Sequence, residues 1–117
     1  MRDFGAKADF LTIYVSEAHA SDEWALPDAE GAGDLIPSGV LQPRSLAARC
    51  ELARQFAERN PVVGRLVVDT MTNEASERYA AWPERLYVIV DGVVVYKGGP
   101  GPFGYVLADV RSWLEAH

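Results

Sequence analysis

An α/β fold is predicted for this 117-residue chain from three observations. Short apolar, β-branched runs recur at residues 10–15, 65–69, 86–90 and 93–96, each too short for a helix. Between and after them stand segments with apolar residues at helical spacing. Asp91-Gly92 separates the last two runs, a hairpin signal because Gly accepts φ > 0 at little steric cost. The resulting order is β-α-β-α-β-β-α.

Each element has its own justification. Phe10-Leu11-Thr12-Ile13-Tyr14-Val15 reads as a buried strand. Residues 16–43 hold several prolines, glycines and acids, a stretch too long for an idle connection. Residues 44–60 read as a helix. Ser45 is its expected cap, Leu46, Cys50, Ala53 and Ala57 its expected apolar stripe, and Asn60-Pro61 its stop. Residues 65–69 form a second buried strand, and 73–81 a weaker helix with Asn73 as the expected cap. Residues 86–90 and 93–96 make the hairpin. Residues 104–116 make the last helix, with Val106, Val110, Trp113 and Leu114 expected toward the core.

Composition narrows the function classes. The length fits one domain spanning 1–117, and 49% hydrophobic residues can build an ordinary core. A net charge of −6 without a basic cluster argues against nucleic acid. The single cysteine, Cys50, rules out an internal disulfide and a CxxC pair. With only His19 and His117 beside it, no metal site is expected. No apolar run approaches the ~20 residues that span a bilayer. The start, Met1-Arg2-Asp3-Phe4, lacks a signal-peptide core, so the expected compartment is the cytoplasm.

Chemistry is expected just past the first strand. Glu17 and His19 follow its carboxyl end, where sites gather in parallel α/β sheets. A histidine there can pass protons near neutral pH, and a carboxylate beside it can orient it. The plainer alternative is a loop histidine bonded to Asp22 or Glu23. Cys50 falls mid-helix on the expected stripe, so it reads as a small buried hydrophobe, not an activated thiol. Arg85 either reaches a site or pairs with Glu84 or Asp91. Trp24, in the long irregular stretch, is a candidate for an aromatic-binding pocket; Trp113 reads as core. The segment 98–102, Gly-Gly-Pro-Gly-Pro, is no phosphate loop, because its prolines remove backbone donors and no Lys-Ser/Thr follows.

Two resemblances extend this reading. A hairpin led by Pro83 and followed by a terminal helix resembles the second half of a thioredoxin-like domain, where that proline is often cis and lines a redox site. More specifically, Phe10-Leu11-Thr12-Ile13-Tyr14-Val15-Ser16-Glu17-Ala18-His19-Ala20-Ser21-Asp22-Glu23-Trp24 resembles the strand and acidic segment of the iodothyronine deiodinase family. Val68-Asp69-Thr70-Met71-Thr72-Asn73, Pro83-Glu84-Arg85-Leu86-Tyr87-Val88-Ile89, Gly98-Gly99, Gly104-Tyr105 and Trp113-Leu114-Glu115 match in order.

The resemblance implies a thioredoxin-like three-layer α/β/α fold of the peroxiredoxin-like variant. It implies reductive removal of iodine from an aromatic ring. The family's nucleophile is a selenocysteine or cysteine upstream of the segment matching Phe10, and this chain lacks that N-terminal β-α unit. Catalytic roles for His19 and Glu17, substrate contacts by Trp24, Pro83 and Arg85, a small halogenated aromatic substrate, an external thiol reductant and a homodimer are implied with it. No cofactor beyond the upstream selenocysteine is expected. Two departures bear on substrate: Pro43 and Pro100 stand where members often carry histidine and Lys or Arg. The remaining alternatives are an inactive thioredoxin-fold binding module and a peroxiredoxin-like thiol oxidoreductase. Without its central strand the sheet is left as two separated pairs, and the chain is expected to dimerise through the gap, to aggregate, or to close the gap by pairing residues 10–15 directly with 86–90.

Overall fold

The computed structural model describes residues 2–18 and 41–117. His19 and Trp24 lie outside the described residues. The chain opens on a 3-10 turn, Arg2–Phe4, followed by strand β1, Leu11–Tyr14. Helix α1 spans Leu46–Arg59, β2 Arg65–Val68 and α2 Glu74–Arg78. Strands β3, Tyr87–Val90, and β4, Val93–Lys97, precede helix α3, Leu107–Ala116. The α/β class and the element order are as the sequence predicts.

β1 and β2 pair in parallel, Leu11 opposite Arg65 and Tyr14 opposite Val68. Asp69 N–H to Tyr14 O, 2.9 Å, carries the ladder one step further. Gly64 turns the chain into β2 at φ +75°; a Cβ there would lie 2.2 Å from Phe10 O, so no side chain fits. α1 crosses between the two strands and packs on β2. β3 and β4 form an antiparallel hairpin with a register shift between Val88 and Ile89. Asp91 (φ 50°) and Gly92 (φ 78°) both take left-handed conformations, as a type I′ turn requires.

The two pairs are separate sheets. Direct pairing of the β1 and β3 segments is not found. Among the described residues each pair therefore keeps an edge without a ladder partner. Apolar cover is thin as well. Among the described residues, Ala53, Val110 and Leu114 are the buried hydrophobic side chains. Leu11 is 53% exposed and Val93 61%.

Three local expectations need correction. The inward face of α1 carries Arg49, Ala53 and Phe56; Leu46, Cys50 and Ala57 are exposed. The stripe is rotated because a buried arginine stands at one of its positions, and Arg is ordinarily read as a surface residue. Asn73 sits at the N-cap of α2 at φ 58° but makes no side-chain capping bond. α3 begins at Leu107, with Val106 exposed at its N-cap. Ser45 does cap α1, its Oγ accepting from Ala48 N–H at 3.1 Å.

Along α3 lies the start of the chain. Arg111 bonds Asp3 at 2.7 Å and covers the Phe4 ring, while Lys7 Nζ donates to Leu114 O. Trp113 is half-buried and stacks on His117 at 4.1 Å.

Candidate active site at the carboxyl end of the parallel pair

Tyr14 ends β1, and its ring packs on Phe56 of α1 at a centroid distance of 5.7 Å. Its hydroxyl donates to Glu17 Oε1. Burial raises the Tyr14 phenol above its usual range, and the bonded Glu17 carboxylate raises it further; Arg49 opposes both. The phenol therefore stays protonated throughout the physiological range and remains a donor.

Glu17 lies beyond the ladder, and Gln42 holds its main chain. Glu17 N–H donates to Gln42 Oε1 at 2.9 Å, and Gln42 Nε2 donates to Glu17 O at 2.9 Å. Gln42 precedes the buried Pro43, which leads to the Ser45 cap of α1.

A second cluster holds the turn after β2. Arg49, 2% exposed, reaches from α1 and donates Nη1 to Thr70 O at 2.6 Å and Asp69 O at 3.3 Å, and Nη2 to Asn73 Oδ1 at 3.1 Å. Its Nε has no partner among the described residues. The buried Asp69 carboxylate accepts from Thr70 N–H at 2.8 Å and from Ala75 and Ser76 N–H at 2.9 Å each. These last two are free donors of the first turn of α2, so Asp69 is the effective cap of that helix.

Pro83 follows a cis peptide bond, as does Pro102. Arg85, next but one to Pro83, pairs with neither Glu84 nor Asp91 in the bonds it makes. Its Nε donates to Gly98 O at 2.6 Å, Nη1 to Ala80 O at 3.1 Å, and its guanidinium lies over Tyr87 at 5.7 Å. It thus ties the proline segment to the glycine loop. Gly101 N–H to Glu84 O, 2.8 Å, adds a second tie.

Of the sequence-predicted site residues, Glu17 sits at the strand end as expected. Pro83 and Arg85 lie together on the hairpin side. Sequence reasoning missed Tyr14, Gln42, Arg49 and Asp69. A signal existed for Tyr14: an aromatic with a polar tip, last in its strand, three residues before a carboxylate. None existed for Gln42, 25 residues from its partner. Among the described residues, no three His, Cys, Asp or Glu side chains converge as a metal donor set. No helix there is long and apolar enough to cross a membrane.

The chain is thus an α/β protein in which a phenol and a carboxylate meet just past the carboxyl end of a parallel strand pair. The iodothyronine deiodinase family model matches residues 1–117, and the chain belongs to that family. It is 45% identical over 109 residues to thyroxine 5-deiodinase of Bos taurus, covering 93% of this chain and 34% of that protein. It is 43% identical over 115 residues to type I iodothyronine deiodinase of Xenopus laevis, covering 98% and 42%. It is 43% identical over 120 residues to type II iodothyronine deiodinase of Petromyzon marinus, covering 99% and 38%. The chain thus spans about a third to two-fifths of the length of these relatives.

Proposed function

We propose that this chain is part of a thioredoxin-like, deiodinase-type oxidoreductase and supplies the acid–base side of its site. The reaction is reductive removal of iodine from an aromatic ring. The observation that carries the reading is the Tyr14–Glu17 hydrogen bond at the end of β1, in a chain of this family.

A selenolate or thiolate from a segment outside this chain takes the halogen as an I⁺ equivalent. The C–I electron pair then remains on the ring carbon, which must gain a proton. Two external thiols return the selenenyl or sulfenyl iodide to its starting form, releasing iodide and a disulfide. Glu17 and His19 serve the proton step. Tyr14 holds the Glu17 carboxylate from one side as a neutral donor. Trp24, Pro83 and Arg85 stand on the substrate side, Arg85 by fixing the proline segment. Cys50 takes no part: it is exposed on α1 and does not lie at a helix N-terminus.

Among the described residues β1 pairs only with β2 and β3 only with β4, which supports the proposed position of the nucleophile. A strand laid between β1 and β3 would join the two pairs into one sheet and satisfy both edges. The substrate is a small halogenated aromatic, and Pro43 and Pro100 set this chain apart in how a charged substrate tail could be gripped. The working compartment is the cytoplasm, and the homodimer common among family members is part of the proposal.

The test is iodide release by the longer protein carrying the nucleophile, with a thiol reductant. His19→Ala should slow the chemical step by roughly 10²–10⁴-fold and Glu17→Gln by less. Wild-type rates in both folded variants would remove these residues from the mechanism.

A further inference from the structure

We infer that Gln42 is a positioning residue that holds Glu17 against Tyr14. The ladder of β1 with β2 ends at Tyr14 O, so Glu17 stands three residues beyond sheet support. There its N–H and C=O are both taken by one side chain. The Gln42 amide meets them at 2.9 Å each, a two-point contact that copies a strand pairing with a single residue. One hydrogen bond would let the chain pivot at Glu17. Two, one on each of the peptides that flank its Cα, fix the direction in which the Glu17 side chain leaves the chain.

The clasp is anchored on something stiff. Gln42 is followed by the buried Pro43, whose ring fixes φ, and then by the Ser45 cap of α1. α1 in turn packs on β2 and holds Phe56 against the Tyr14 ring. The two partners of the Tyr14–Glu17 bond are thus both referred to one helix, Tyr14 through Phe56 and Glu17 through Gln42. The Gln42 bonds that matter here go to the main chain of Glu17 and not to its carboxylate. The effect of Gln42 passes through Glu17.

The charged groups acting on Tyr14 are Glu17, on its own segment, and Arg49, from α1. Losing the clasp leaves Arg49 in place and weakens the hold of Glu17. The phenol should then ionise at lower pH. The rate prediction rests on the deiodinase-type reading; the titration does not.

The experiment compares wild type, Gln42→Met and Gln42→Asn in the full-length protein. Tyrosine is labelled at ¹³Cζ, and Tyr14→Phe assigns the signal. Gln42→Met keeps the length of the side chain and loses both bonds. Its Tyr14 signal should begin to ionise at a lower pH than wild type, showing more phenolate at the same alkaline pH while the fold persists. Its kcat should fall roughly 10–100-fold with KM within about twofold, the pattern of a misplaced catalytic group. Gln42→Asn, one methylene short, should fall between, and it decides the matter if Gln42→Met does not fold. An unchanged Tyr14 titration in a folded variant overturns the clasp. A shifted titration with an unchanged kcat overturns its role in the chemistry. If the wild-type protein releases no iodide, the deiodinase reading fails while the titration still decides the clasp.

Discussion

Replacing Arg49 by Met should cost the full-length protein about 3 kcal/mol of stability, worked from the bonds the guanidinium makes. The methionine keeps the aliphatic stem packed and removes the three hydrogen bonds. Hydrogen bonds from a charged group contribute roughly 1.5–3 kcal/mol each. The bond to Asp69 O, at 3.3 Å, belongs at the bottom of that range, and Thr70 O keeps a second donor in Asn73 N–H at 2.9 Å. Against the loss stands a gain. A guanidinium that is 2% exposed, with its Nε unpartnered, carries a desolvation cost that methionine does not. The bonds win, because Asp69 O and Asn73 Oδ1 are left short of a donor in a partly closed site. Urea denaturation reads the effect as a lower midpoint with unchanged slope. Arg49→Lys should recover about half, since one ammonium cannot span Thr70 O and Asn73 Oδ1 as the planar fork does. A Met variant within about 1 kcal/mol of wild type, or a Lys variant equal to it, would refute the reasoning.

Three further outcomes are expected. Tyr14 is held neutral in the fold while an unfolded tyrosine ionises near its ordinary 10.0, so its contribution is intact below that pH and is lost as pH rises above it. The loss is at most about 1.4 kcal/mol per pH unit; Tyr14→Phe should flatten the alkaline limb of the stability profile, and parallel limbs would contradict the assignment. Cys50 should react stoichiometrically with a maleimide in the native protein, and Cys50→Ser should leave turnover unchanged; turnover lost with that sulfur would make it the nucleophile. A version extended upstream through the nucleophile-bearing strand should melt higher and more cooperatively than the 117-residue chain, which thermal melting with size-exclusion chromatography would show; equal stability and a monomeric state for both would remove the argument from the open edges.

Much of the fold is legible because its signals are local. β-Branched runs, the Asp91-Gly92 turn and the Ser45 cap each act within a few residues, and each is found where the sequence puts it. What was misread involves partners distant in sequence. The α1 face depends on Arg49 finding carbonyls some twenty residues on, which no helical period discloses. The cap of α2 is read locally as Asn73, yet the carboxylate that does the work belongs to Asp69, just past the preceding strand. The site divides the same way. Glu17 was legible from its position after a strand. Tyr14 hid inside that strand as one more β-former, and Gln42 offered no pattern at all. Polar groups that meet across the fold follow no period, so sequence reasoning finds the frame sooner than the bonds that set it.

The Gln42 clasp has a consequence for how this family can vary. It joins position 17 to position 42 at the base of the intervening chain. The address of Glu17 therefore depends on the start of α1 as well as on the end of β1. A substitution that shifts the first turn of that helix moves the carboxylate without touching it. Changes at the helix start and at the strand end must keep step with each other wherever the clasp is kept.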